Sequence, residues 1–132
     1  MHVLVTEAYF GDSAGTVRRL REAGCRVSTC HTEAGLCKAL APGSRCPLDV
    51  LDGVDLLVDV RSVGDELTAR EFGTVCAVRA RVPVVVVGAD PDRRPTLPIG
   101  LESRVLPVRG RQLAATCRSW QRAHEASGGH RS

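Results

Sequence analysis

Asp55-Leu56-Leu57-Val58-Asp59-Val60 decides the architecture of this chain. Its apolar residues run consecutively instead of alternating. An extended chain here is apolar on both faces, as a strand buried inside a parallel sheet must be. Val82-Pro83-Val84-Val85-Val86-Val87 repeats the pattern more strongly, and Gly88 ends it. Working outward, Val3–Thr6, Cys25–Cys30 and Arg104–Val108 are shorter β-branched runs of the same kind.

Helical signals alternate with these runs. Ser13 stands as an N-cap before Ala14, Val17, Leu20 and Ala23, which recur at helical spacing, and Gly24 occupies the C′ position. Thr68-Ala69-Arg70-Glu71 has the form of a capping box. Phe72, Val75, Cys76 and Arg79 then make a helical stripe. Gln112–Ala123 reads as a last helix with Leu113, Cys117 and Trp120 on one side. After the second strand, Thr32–Leu40 is long enough for one short helix, which Pro42, Gly43 and Pro47 stop. Pro91, Pro95 and Pro98 make the segment from Asp90 to Ser103 mostly loop.

Alternating strand and helix units predict an α/β fold: a parallel sheet of five strands in the order 2-1-3-4-5, helices on both faces, and shortened second and fourth helical connections. Residues 1–126 form one domain in this reading, and residues 127–132 a flexible C-terminal tail.

Composition narrows the function classes. Of 132 residues, 43% are hydrophobic, 25% charged and only 3% aromatic, so the core is built from Val, Leu and Ala. A net charge of +3 without a strong cluster does not point to nucleic acid. No apolar run approaches a membrane span, and the N-terminus enters a strand without signal-peptide features. A cytoplasmic location is therefore expected, where thiols stay reduced and clustered cysteines point to metal or redox chemistry.

The layout resembles the receiver domains of two-component response regulators over nearly the whole chain. The resemblance implies a flavodoxin-like, three-layer sandwich. It also implies an acidic pocket, to which this chain brings Glu7 after strand one and Asp59 near the end of strand three, in the phosphoacceptor position. The two carboxylates are a candidate pair for Mg²⁺. Receivers follow strand four with Thr or Ser, where this chain has Gly88. They end strand five with Lys-Pro, where this chain has Leu106-Pro107. Neither Gly88 nor Leu106 supplies a hydroxyl or a charge, and phosphotransfer depends on placed charge. The chain reads as a pseudo-receiver, with the scaffold kept and the switch chemistry lost.

Reactive side chains concentrate in the loop after strand two, at Cys30, His31, Cys37 and Cys46. Three thiolates and an imidazole suit tetrahedral zinc, and three thiolates also suit an iron–sulfur cluster. The spacing is neither that of a zinc ribbon nor that of a ferredoxin. A redox pair, Cys37 with Cys46, and plain packing of incidental cysteines are the alternatives. Cys76 and Cys117 read as core residues, Cys25 is ambiguous, and His2, His124 and His130 read as terminal or exposed.

Three functions follow, in this order. The first is a regulatory or sensory module without catalysis, carrying a metal or iron–sulfur site and acting on a protein partner. The face beside the fourth connection is a candidate for pairing with a second copy. The second is a cysteine-based redox protein. The third is an atypical receiver phosphorylated on Asp59.

Overall fold

The structure, a computed structural model, describes residues 1–29, 46, 48, 53–62, 64 and 66–126, with side chains as far as residue 123. The predicted helix over Thr32–Leu40 and the predicted tail lie outside the described residues.

Among the described residues five strands form one sheet: β1 (His2–Glu7), β2 (Arg26–Thr29), β3 (Leu56–Arg61), β4 (Val84–Gly88) and β5 (Leu106–Pro107). Their order is β2-β1-β3-β4-β5 and every neighbouring pair is parallel. Among the described residues three α-helices accompany them: α1 (Ala14–Glu22), α2 (Phe72–Arg79) and α3 (Leu113–Ala126). Short 3-10 turns at Ala69–Glu71 and Gly110–Gln112 lead into α2 and α3.

The consecutive apolar runs feed two cores because neighbouring strand residues point to opposite faces. On one face Val3, Val5, Val58, Val60, Val85 and Val87 pack with Leu20 of α1 and with Leu113 and Cys117 of α3. On the other, Leu4, Leu57 and Val84 pack with Ala77 of α2. Each such side chain, once fully buried, contributes about 1.5–3 kcal/mol from the apolar area it removes from water. Asp59 and Arg61 leave β3 on the α2 face, in phase with Leu57, and the α2 side buries both.

Gly24 ends α1 as its position predicts. Its φ of +90° suits glycine, and its amide donates to the Arg21 carbonyl at 3.0 Å. The capping box at Thr68 and Glu71 also forms. β5 is shorter than the predicted Arg104–Val108 run, and residues 89–105 hold neither helix nor strand.

Other local expectations are corrected. Ser13 sits at the N-cap of α1 but makes no side-chain cap; its hydroxyl donates to Glu7 Oε1 instead. The stripe predicted for α2 faces outward, since Phe72, Cys76 and Arg79 are exposed while Gly73, Thr74 and Ala77 are buried. Small residues thus turn toward the sheet face that carries Leu4, Leu57 and Val84. Cys76 is therefore not a core residue, whereas Cys117 is. His2 is buried, not exposed: its ring nitrogens lie 2.7 Å from the Gly53 carbonyl and 2.8 Å from Ser28 Oγ.

Candidate functional site

The carboxyl ends of β1, β3 and β4 share one rim, where parallel αβ sheets place their ligands. Glu7 ends β1. Oε1 accepts from the Ser13 amide at 3.0 Å and the Ser13 hydroxyl at 2.6 Å, and Oε2 accepts from the Gly11 amide at 3.1 Å. The carboxylate thus takes up orphan amides at the start of α1, where negative charge is favoured. Arg70 completes the set at 3.0 Å. Partial burial raises the Glu7 pKa, but the bonds from Ser13, Gly11 and Arg70 outweigh it and hold the pKa below the usual carboxylate range.

Asp59 lies in register with Thr6 and Val86, one residue below the rim, while Glu7 is in register with Val60. Strand alternation therefore sends the Glu7 and Asp59 side chains off opposite faces of the sheet. The structure does not bring them together as the carboxylate pair that the sequence suggests.

Asp59 belongs instead to a buried group with Arg61 and Glu71. Asp59 and Glu71 are fully buried, and Arg61 is 3% exposed. Arg61 Nη1 donates to Glu71 Oε2 at 2.5 Å and lies 3.8 Å from Asp59 Oδ2. Arg61 Nη2 donates to the carbonyls of Glu66 at 2.8 Å and Gly64 at 3.4 Å. Glu71 Oε1 accepts the Thr68 amide at 2.8 Å.

One guanidinium faces two carboxyl groups, and it is engaged by Glu71. With both acids ionised, neither Asp59 oxygen has a donor. A single proton resolves the mismatch, because the Asp59 carboxyl faces Glu71 and can donate to it. Burial, reinforced by the hydrogen bond to Glu71 and by its charge, raises the Asp59 pKa to about 10. The proton is thus held far above the usual carboxylate range, on the side of the pair where Asp59 faces Glu71.

The 3-10 turn at Ala69–Glu71 closes this group over. Thr6, on the same face as Asp59, donates its hydroxyl to the Arg70 carbonyl at 2.6 Å. The Thr68 hydroxyl donates to the Ala8 carbonyl at 3.0 Å. Arg70 stacks on the Phe10 ring, 5.6 Å from its centroid.

Gly88 occupies the strand-four position at which receivers carry a hydroxyl. A Cβ there would lie 3.1 Å from the Asp90 carbonyl oxygen and 3.2 Å from that of Arg93. Backbone closes the position against any side chain that does not displace it. Leu106, in the strand-five position, is 47% exposed and carries no charge.

Of the predicted metal ligands, Cys30, His31 and Cys37 lie outside the described residues. Cys46 is half-buried in a shallow cavity of 410 Å³ that it shares with Leu48, Cys76, Arg79 and Ala80. Arg79 and Ala80 end α2, and the chain then turns into β4, so Cys46 lies toward the amino end of the sheet. Thr29, the last described residue of β2, pairs with Val5 nearer the carboxyl end. Cys25, Cys46, Cys76 and Cys117 form no disulfide. Among the described residues no three Cys, His, Asp or Glu side chains are grouped to hold a metal ion. No helix of the described residues is long and apolar enough to cross a membrane.

Sequence reasoning missed Arg61, Arg70 and Glu71 as partners of the acidic positions. Arg61 carried a signal, since two residues along a strand is the same face. Glu71 was legible only as a cap, and Arg70 carried no local signal. Compared with known proteins, the chain matches no family model, no curated protein and no solved structure.

Proposed function

We propose that this chain is a regulatory module of the pseudo-receiver kind, which works through binding to a protein partner and neither transfers nor accepts a phosphoryl group. The observation that carries this reading is the burial of Asp59: it is fully buried beside Glu71 and roofed by the turn that holds Glu71, and that burial raises its pKa. A phosphoacceptor must present an ionised oxygen to its donor in line with the leaving group. A protonated carboxyl beneath a closed turn meets neither requirement. The sheet order and the helices on both faces support a flavodoxin-like, receiver-like three-layer fold for the module. The closed position at Gly88 and the uncharged Leu106 support the loss of the switch.

The test uses the full chain with acetyl phosphate and Mg²⁺, read by intact mass. The expected result is no added phosphoryl group at any time point. An adduct mapped to Asp59 would overturn the reading in favour of an atypical receiver.

The proposal includes a soft-metal or iron–sulfur site at Cys30, His31, Cys37 and Cys46, supported by the density of thiols and imidazole in that stretch. Freshly purified, untagged protein is expected to carry zinc or iron by elemental analysis. The metal should fall away in the Cys30→Ser/Cys37→Ser variant. Metal-free protein whose loop thiols all titrate would remove this part of the proposal. A Cys37–Cys46 pair that opens and closes reversibly without metal would favour the redox alternative.

A further inference from the structure

We propose that the cleft beyond the carboxyl ends of β3 and β4 binds a small organic phosphate. The cleft encloses about 490 Å³, within the range of small-molecule sites, and is lined by Arg61, Gly64, Gly88, Arg93, Arg94 and Thr96 among others. It lies where doubly wound sheets hold their ligands, and its lining includes Arg61 but not the roofed Asp59.

Charge gives the ligand its sign. Arg93 and Arg94 are exposed, and among the described residues neither enters an ion pair. Asp90 is the one described acid in the lining. Its Oδ1 accepts the Asp92 amide at 3.0 Å, and Asp92 is itself paired with Arg111. Two guanidiniums thus outnumber one carboxylate that is already engaged. Guanidinium forks match phosphate oxygens in pairs, which gives geometry as well as attraction.

The walls are held before any ligand arrives. Arg61 fixes the carbonyls of Gly64 and Glu66 on the β3 side. Its Nε is buried without a partner. On the β4 side the chain folds back so tightly that the Asp90 and Arg93 carbonyls crowd Gly88. The Arg111 amide donates to the Pro91 carbonyl at 3.0 Å and ties this loop to the start of α3. Walls fixed in this way reduce the ordering cost of binding. The inference uses the cleft alone and stands whether or not the pseudo-receiver reading holds.

The experiment titrates the full chain with adenosine monophosphate and with inorganic pyrophosphate at low ionic strength, read by calorimetry. The expected result is saturable binding of at least one probe, with Kd of about 1 mM or tighter. Arg93→Ala/Arg94→Ala should weaken it about tenfold. A control variant, Arg109→Ala/Arg118→Ala, removes the same charge from exposed positions outside the cleft lining and should keep the affinity. Circular dichroism checks that both variants fold. Tighter binding of the nucleotide identifies an organic phosphate, and binding of pyrophosphate alone overturns the organic part of the proposal. Absence of saturation with both probes, or equal losses in the two variants, overturns the site.

Discussion

Replacing Arg61 by Met is expected to cost about 3–5 kcal/mol of folding stability, the usual penalty for stripping one partner from a buried ion pair. Methionine keeps much of the apolar stem, so lost packing contributes little. What is lost is the charge between Asp59 and Glu71, together with the donors to the Gly64 and Glu66 carbonyls. Glu71 then loses its guanidinium partner and is left with the Thr68 amide and the facing Asp59 carboxyl. Domains of this size hold roughly 5–15 kcal/mol in total, so the variant should lie near its unfolding threshold. Urea denaturation measures the loss. Combining Arg61→Met with Glu71→Gln should recover a substantial part of it, because the stranded charge goes too. A loss below about 1 kcal/mol in the single variant, of the size seen for exposed pairs, would show that the three groups are not electrostatically coupled.

Asp59→Asn is expected to act in the opposite direction. The folded pKa of Asp59 is raised far above its unfolded value, so folding takes up a proton at neutral pH. A group raised in this way contributes stability that is fully present below its unfolded pKa and is lost as pH rises toward the folded one. The window opens near pH 4 and runs toward about 10. Within it the dependence approaches 1.4 kcal/mol per pH unit, roughly the free energy of one proton. Asparagine mimics the neutral acid and removes this dependence. The variant should match the wild type near pH 4 and become progressively more stable than it as pH rises toward about 8, where the gain reaches roughly several kcal/mol. Denaturation series at several pH values give the difference between the two proteins, which cancels the titrating groups remote from Asp59. Parallel stability profiles would show that Asp59 is ionised in the fold. The variant should still lack a phosphoryl adduct, as the wild type should.

The sheet was legible because its signal is one of composition along the chain. A run such as Leu56-Leu57-Val58 has no alternative but burial on both faces, and the order of strands follows from alternation with helices. Gly24 and the Thr68–Glu71 box were legible for a different reason: each is a local hydrogen-bond device whose residues are close in sequence.

The errors share a cause as well. Ser13 is a good cap by type, but Glu7 at the end of β1 accepts its hydroxyl and so draws the side chain away from the helix amides. The stripe on α2 has a helical period, yet period alone does not say which face turns inward. The 3-10 turn before Phe72 sets that phase, and Thr6, Ala8 and Glu7 pin the turn from sixty or more residues away. Asp59 was found by its place at the end of a strand. Its burial and its proton depend on Arg61 and Glu71 meeting in space, which no local pattern announces.

The two-residue strand β5 has a consequence for self-assembly. Along a strand, successive amides point to alternate sides, and the Val108 amide donates inward to the Val86 carbonyl. Position 107 is therefore the one whose amide would face away from the sheet, and Pro107 has none. Within β5 an added strand finds no outward donor to template on, which works against runaway polymerisation at that border.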